Sequence, residues 1–268
     1  MREQPVPRLP TSARPRPAGP VRASLVFAWR GLLKVRHIPD LLFDVTVFPI
    51  MFTVIFTFLF GGAIAGSPDD YLQYLLPGIM VQTVIFITVY TGFTLNTDLT
   101  RGVMDRFRAL PLWQPAVLVG ALLGDAARYA LGCAVVIGTG LVLGFRPGGG
   151  LFGVLGAVLL LLVFAFALSW IWTILGLRLR TPNSVMAVGM FILFPLTFAS
   201  NVFVDPATMP PWLEGAVAWN PVTLLVTAVR GLMHGTATFG EVGLVLAAAA
   251  LLTAVFGPLT MYLLRRTA

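Results

Sequence analysis

The sequence predicts an all-α integral membrane protein with six transmembrane helices. Hydrophobic residues make up 57% of its 268 residues and charged residues only 11%, about half the charged share of an ordinary soluble domain. The chain also contains apolar runs of about 20 residues, the length that a helix needs to cross the hydrocarbon core of a bilayer. The predicted spans are Leu41–Phe60, Leu76–Leu95, Val117–Leu143, Leu151–Leu175, Ser184–Val204 and Glu241–Leu264.

The chain before the first span divides into two parts. Residues 1–20 are rich in proline and arginine and contain no apolar signal-peptide core, which predicts a disordered basic tail. Residues 21–39 predict an amphipathic helix that lies on the anionic cytoplasmic surface of the membrane. Its apolar side carries Leu25, Ala28, Trp29, Leu32 and Val35, and its basic side carries Arg30, Lys34 and His37. Residues 40–268 are predicted to form one six-span transmembrane domain.

The positive charges predict the orientation of these spans. Eight of the 18 lysine and arginine residues precede the first span, and basic residues concentrate on the cytoplasmic side of membrane proteins. With both termini inside, the arginines between spans two and three and between spans four and five also lie inside. The net charge of +7 therefore reflects membrane topology and predicts no nucleic-acid partner. Lys34 is the sole lysine, a bias typical of GC-rich bacterial genomes, so we expect a bacterial inner-membrane protein.

The segment between the last two predicted spans, Val204–Gly240, is too long for a bare connector. It has prolines at positions where helices start, followed by apolar residues at helical spacing. This pattern predicts two short helices that lie at the outer membrane surface or dip into it. Trp212 and Trp219 suit such an interface.

A charged stretch, DLTRGVMDRFRALPL, interrupts the apolar pattern from Asp98 to Leu112. Its apolar residues share one helix face and its charged residues cluster on the other, which predicts an amphipathic cytoplasmic helix. The apolar face holds Leu99, Val103, Phe107 and Leu110, and the charged face holds Arg101, Asp105 and Arg108. Two interpretations stay open: a loop whose arginines only enforce topology, or a helix that docks a cytoplasmic partner and transmits its movement.

Polar and aromatic residues share one face in each of the first two spans. Span two carries Gln82, Thr83, Phe86, Tyr90 and Phe93, and span one carries Thr46, Pro49, Thr53 and Thr57. Such faces are costly against lipid, so they are candidates for lining a pathway. The alternative is that the threonine hydroxyls bond their own helix and the aromatic rings pack between helices. An uncharged path of this composition would suit an amphipathic or lipid-like substrate.

Two charges, Asp125 and Arg128, lie inside the third predicted span. At positions i and i+3 they can pair on one helix face. The functional interpretation is a proton or gating switch. We favour the structural one, an intramembrane ion pair whose arginine reaches toward the inner boundary.

Two longer stretches carry a family resemblance. LLPGIMVQTVIFITVYTGFTLNTDLTRGVMDRFRALPL and FASNVFVDPATMPPWLEGAVAWNPVTLLVTAVRGL resemble the corresponding parts of ABC type-2 exporter permeases, nearest to the daunorubicin-resistance (DrrB-like) branch. The likeness covers nearly all of the chain after residue 20. It implies the transmembrane subunit of an ATP-driven exporter of amphipathic or hydrophobic compounds, either drugs or lipids.

The resemblance also implies partners. In that family the helix between spans two and three is the coupling helix, which docks a separate nucleotide-binding ATPase subunit that holds ATP and magnesium. The docking residues implied here are Asp98, Arg101, Gly102, Asp105, Arg106, Phe107 and Arg108. A second copy of the chain, or a related permease, would complete the pathway, and no cofactor is expected on this chain.

Other classes of function fit the sequence less well. A Walker A motif needs Gly-Lys-Ser/Thr, and Lys34 follows Leu33, so an ATPase must be another polypeptide. One cysteine and no HExxH motif predict no metal site, and no constellation of an enzyme is apparent. An ion- or proton-coupled carrier that uses Asp125 is the remaining alternative. The identity of the substrate and the choice between homodimer and heterodimer stay open.

Overall fold

The computed structural model describes residues 39–103 and 115–266, together with the isolated positions Gly19, Val26 and Trp29. All regular secondary structure in this part of the chain is helical, which confirms the predicted all-α class. The predicted basic tail and most of the predicted helix over residues 21–39 lie outside the described residues. The domain boundaries at residues 20 and 39 therefore stay predictions.

The helices follow one another with short connections. They are α1 (Pro39–Ile55), a π-helical turn (Phe56–Phe60), α2 (Gly61–Ala65), α3 (Pro68–Thr100), α4 (Pro115–Leu143), α5 (Gly150–Arg178), α6 (Pro182–Phe198), a 3₁₀ turn (Pro206–Thr208), α7 (Pro211–Ala218), α8 (Pro221–His234) and α9 (Phe239–Arg266).

Local sequence signals fix many of these helix ends. Proline opens α3, α6, α7 and α8, where its missing N–H costs nothing and its fixed φ suits a first helical turn. Ser67, Thr181 and Asn220 cap the N-termini of α3, α6 and α8 by accepting from backbone N–H groups, as capping residues do. At the other end of α8, Gly235 adopts φ 76°, the left-handed conformation of a C-terminal glycine.

Five helical stretches in the described part are long and apolar enough to cross a membrane, or six if the bent pair α7 and α8 counts as one span. The five are Val45–Ala65, Pro68–Thr100, Val119–Leu143, Gly150–Arg178 and Phe239–Leu264, and they match five of the predicted spans. The predicted span Ser184–Val204 is not among these stretches, because α6 ends at Phe198 after only 17 residues. Its length is about 26 Å, slightly less than a typical hydrocarbon core.

The two predicted helices between the last spans are present as α7 and α8, which meet at 78°. Trp212 and Trp219 are 75% and 88% exposed, consistent with contact with the membrane interface. Most of the apolar side of α8 is buried, so this helix packs into the protein instead of lying on its surface.

The core is organised around α3. In the most apolar part of α3, 83% of the residues are buried inside the protein. The corresponding share in the other four long stretches is 17% to 33%. It packs against α4, α5, α6 and α8. Its closest approach is to α5, where a Cβ atom at Gly92 would collide with the carbonyl oxygen of Trp172, and one at Gly176 with that of Gly92. Backbones approach this closely only where side chains are absent.

The structure corrects the predicted helix from Asp98 onward. Helix α3 continues without a break to Thr100, so Asp98 and Leu99 belong to its last turns. Gly102 then adopts φ 66° and donates its N–H to the carbonyl of Leu99, which ends the helix as a left-handed glycine usually does. The single apolar stripe predicted from Leu99 to Leu110 is therefore wrong at its start.

Candidate functional site

A groove of about 240 Å³ opens between α1, α3 and α6. Aromatic rings and aliphatic chains make up most of its wall, and none of the described residues that line it is charged. Its lining residues are Phe48, Pro49 and Phe52 from α1, Ile79, Gln82, Thr83, Phe86, Ile87 and Tyr90 from α3, and Met190 and Phe194 from α6. Its α3 wall extends over 12 residues from Ile79 to Tyr90, which places its two ends about 16 Å apart along the helix axis.

Four residues predicted for the face of span two do line this groove: Gln82, Thr83, Phe86 and Tyr90. Their spacing of one, four and eight residues keeps them on one side of α3. Phe86 meets Phe194 of α6 edge to face, with ring centroids 5.3 Å apart. This is a favourable geometry for an aromatic pair, and it leaves ring surface available in the groove.

The threonines predicted for span one do not line the groove. Thr53 and Thr57 are buried, and Thr46 is half-buried. The hydroxyl of Thr53 donates to the carbonyl of Pro49 at 2.8 Å, which is the backbone-bonding alternative. Phe93 also lies outside the groove lining, with its ring 6.1 Å from that of Tyr90.

Of the α1 wall, sequence reasoning found Pro49, which lines the groove, but missed the aromatic part. It is built from Phe48 and Phe52, whose rings are 4.5 Å apart and belong to a ladder that continues to Phe56 and Phe60. Each ring follows the previous one by four residues, so all lie on one helix face. This repeat is visible in the sequence and is the signal that identifies the wall.

Gln82 is the main polar group of the groove wall. The residue is 4% exposed, and its Oε1 atom is buried without a hydrogen-bond partner in the described part of the chain. A buried acceptor that lacks a donor carries an unfavourable desolvation energy. A ligand that brings a donor to this amide would remove that energy, so Gln82 is suited to orient a partly polar substrate.

A buried polar network joins α3, α4 and α5 next to the groove. The predicted ion pair is present, with Arg128 Nη1 2.9 Å from Asp125 Oδ1. Thr91 of α3 donates to Asp125 Oδ2 at 2.6 Å. The hydroxyl of Tyr129 lies 3.2 Å from that of Thr91 and 2.8 Å from that of Ser169 in α5. The three helices are therefore tied together at one level.

A second set of hydrogen bonds fixes the C-terminal ends of α3 and α5. Asn96 donates from Nδ2 to the carbonyls of Gly176 and Leu179, at 2.9 Å and 2.6 Å, and so satisfies backbone acceptors at the end of α5. Trp172 of α5 donates to the hydroxyl of Thr88 at 2.7 Å. These contacts hold the last turns of α3 in a defined position.

Three of the predicted docking residues lie at that end of α3. Arg101 is exposed, Asp98 is half-buried, and Gly102 makes the turn that leaves the helix. The other four, Asp105, Arg106, Phe107 and Arg108, lie outside the described residues.

Arg230 anchors α8 at the opposite end of α3, a role that no sequence pattern indicates. Its Nε donates to the carbonyl of Tyr74 at 3.1 Å and its Nη2 to that of Asn201 at 2.9 Å. The guanidinium also lies 3.7 Å from the centroid of the Tyr74 ring, a cation–π contact.

Within the described ranges, no group of three or more His, Cys, Asp and Glu side chains is arranged to hold a metal ion.

Comparison with known proteins gives a consistent result. Residues 23–234 match the ABC-2 type transporter family. The chain is 51% identical to the daunorubicin resistance ABC transporter permease protein DrrB1 of Streptomyces coeruleorubidus, over 96% of this chain and 91% of that protein. It is 27% identical to the probable doxorubicin resistance permease DrrC of Mycobacterium tuberculosis, over 70% and 68%. It is 24% identical to the inner membrane transport permease YadH of Escherichia coli K12, over 68% and 72%.

Proposed function

The chain belongs to the ABC-2 type transporter family as a permease subunit, and on that premise we propose that it exports aromatic, amphipathic drugs such as daunorubicin. The groove between α1, α3 and α6 carries this proposal. Its rings offer flat apolar surface, and Gln82 and Thr83 offer polar contacts without charge. Sites of this composition, apolar with a few placed polar groups, are typical of small-molecule binding.

Energy for export comes from ATP on a separate ATPase subunit, as in other ABC transporters with such permeases. We propose that this subunit docks on the stretch from Asp98 to Leu112. The exposed Arg101 at the end of α3 supports this location. Because Asn96 fixes that end to α5, movement of the docked subunit would be transmitted to α3 and hence to the groove.

A second copy of the chain, or a related permease, is proposed to face the groove. The helices α1 and α6 that flank the groove expose large apolar side chains on their outward surfaces. These include Val47 and Met51 on α1, Phe58 just after it, and Phe191 and Phe198 on α6. Two such faces brought together would enclose the groove and give a path wide enough for a drug.

The chain is a multi-pass membrane protein. We place it in the bacterial inner membrane with both termini in the cytoplasm, because its basic residues concentrate on that side. The docking stretch then faces the compartment that contains ATP.

A proton-coupled carrier based on Asp125 fits the structure less well. Both carboxylate oxygens of Asp125 are engaged, one by Arg128 and one by Thr91. Membership of an ABC family also supplies a different source of energy.

Two experiments test the proposed function. In the first, the permease and its ATPase subunit are reconstituted together into liposomes, and daunorubicin accumulation is measured with ATP and with a non-hydrolysable analogue. Accumulation that requires hydrolysis is the expected result. Accumulation driven only by a proton gradient would favour the carrier instead.

In the second experiment, the tagged chain is solubilised gently and the co-purifying ATPase is quantified. We expect the Arg106→Glu/Arg108→Glu variant to lose the ATPase. The Arg265→Glu/Arg266→Glu variant carries the same charge change at the C-terminal end of α9, which we also place in the cytoplasm, and it should retain the ATPase. Equal retention by both variants would contradict docking at this stretch.

A further inference from the structure

The ion pair lies directly beside the cytoplasmic end of the groove. Tyr90 is the groove-lining residue of α3 that lies nearest the cytoplasm. The guanidinium carbon of Arg128 is 5.2 Å from the centroid of the Tyr90 ring, within the range of a cation–π contact. One ring therefore touches both the groove and the buried cation.

Asp125 connects this cation to the turn of α3 that carries Tyr90. One of its oxygens binds Arg128, and the other accepts from the hydroxyl of Thr91, the next residue along α3. The position of the guanidinium is thus fixed relative to the Tyr90 backbone. Tyr129 extends the same network to Ser169 of α5.

Arg128 is incompletely paired for a residue that serves only stability. Its side chain is 5% exposed, and its Nε and Nη2 atoms have no hydrogen-bond partner among the described residues. A buried ion pair stabilises a fold only when its remaining donors are satisfied, and apolar side chains often replace it without loss. The face of the Tyr90 ring is the further favourable contact that the structure offers this cation.

We propose that Asp125 and Arg128 are positioning residues for transport, which hold the Tyr90 ring in place as the inner wall of the groove. Arg128 would set the affinity for the substrate without touching it. This inference rests on the proposed function, because it takes the groove as the drug site. It differs from a proton switch, since the role proposed for the pair involves no proton transfer.

The first test removes the cation–π contact without changing the shape of the ring. Phenylalanines with zero, one, two and three ring fluorines are incorporated at position 90, because each fluorine weakens the negative face of the ring. ATP-dependent daunorubicin uptake is then measured in liposomes that contain the permease and its ATPase. We expect KM to rise stepwise, by roughly 3- to 30-fold over the series, the range that such a contact contributes. The maximal rate should change less than about twofold.

The second test repeats the series in the Asp125→Asn/Arg128→Met variant. Removing both charges avoids an unpaired buried ion, so this variant is the one most able to fold. The stepwise rise in KM should disappear there, and KM should already be high without fluorine. A flat series in the wild-type background overturns the proposal, and so does an equal slope in both backgrounds, which would mean that the ring acts on the drug alone.

A drug-independent readout separates this inference from the proposed function. The ¹⁹F spectrum of a single-fluorine phenylalanine at position 90 reports the environment of the ring without substrate. We expect the Asp125→Asn/Arg128→Met variant to shift and narrow this signal, because the ring is released. An unchanged signal would overturn the positioning role even if the chain transports daunorubicin. A changed signal with no uptake by the wild type would leave the positioning role standing and refute the proposed substrate.

Discussion

The contact between α3 and α5 at Gly92 gives a sharp stability prediction. A methyl group added at Gly92 would collide with the carbonyl group of Trp172 and approach Val185 Cγ1 to 3.1 Å. Because the colliding atoms belong to the α5 backbone, no side-chain rotation relieves the overlap, and the two helices must separate. Overpacking of this kind costs about 3 kcal/mol, and the higher helix propensity of alanine returns about 1 kcal/mol. Gly92→Ala should therefore destabilise the protein by roughly 2 kcal/mol.

Gly138→Ala in α4 is the matched control. Gly138 is exposed inside a helix, and a Cβ atom there would meet nothing within 4 Å, so only the gain in helix propensity applies. Thermal unfolding in detergent should place the midpoint of Gly92→Ala about 4 to 8 °C below that of the wild type. Gly138→Ala should unfold at or slightly above the wild-type temperature. If the two variants unfold alike, the close approach of α3 and α5 is not what the structure shows.

Three further predictions concern single side chains. Gln82→Leu should raise the KM for daunorubicin. It should leave the free energy of unfolding unchanged or up to about 1 kcal/mol higher, since it removes an unsatisfied acceptor. An unchanged KM in reconstituted liposomes would exclude Gln82 from binding. Asn96→Ala should destabilise the protein by about 2 kcal/mol because it leaves the carbonyls of Gly176 and Leu179, at the end of α5, without a donor. The control Asn183→Ala changes an exposed residue and should unfold like the wild type; similar midpoints for the two variants would refute the cap. Trp172→Phe should lower the free energy of unfolding by about 1 kcal/mol through loss of its hydrogen bond to Thr88. Adding Thr88→Val to this variant should lower it little further. If the losses of the two single variants add fully in the double variant, the bond is absent.

The helical class and most spans were predictable from the sequence because apolar length alone distinguishes a spanning helix. The ends of the helices were less predictable. The apolar run that begins at Ser184 continues past Phe198, but the helix stops there, and Ala199 and the next residues form a turn that Asn220 binds. Likewise, polarity rises at Thr94, yet α3 continues to Thr100, because tertiary contacts such as those of Asn96 support its last turns.

The candidate site was predicted only in part. The α3 wall followed from helical periodicity, which fixes which residues share a face. On the α1 wall only Pro49 was predicted. Its phenylalanines were missed because the threonines were given more weight, although the hydroxyl of Thr53 is bonded within its own helix. The Asp125–Arg128 pair followed from its spacing. The proximity of this pair to Tyr90 could not be predicted, since it depends on how α3 packs against α4. Arg230 could not be placed at all, because its partners are carbonyls 29 and 156 residues away.

The most direct test of the central claim is whether daunorubicin occupies the groove. The chain has one cysteine, Cys133, which is buried, so a Cys133→Ser background permits single reporters. In that background, Thr83→Cys and Met190→Cys each place a thiol in the groove wall. Thr139→Cys places a thiol on α4, outside the groove. The rate of labelling by a small maleimide is measured with and without daunorubicin. We predict that the drug slows labelling at positions 83 and 190 and leaves position 139 unchanged; equal rates with and without drug at positions 83 and 190 would contradict a drug site in this groove.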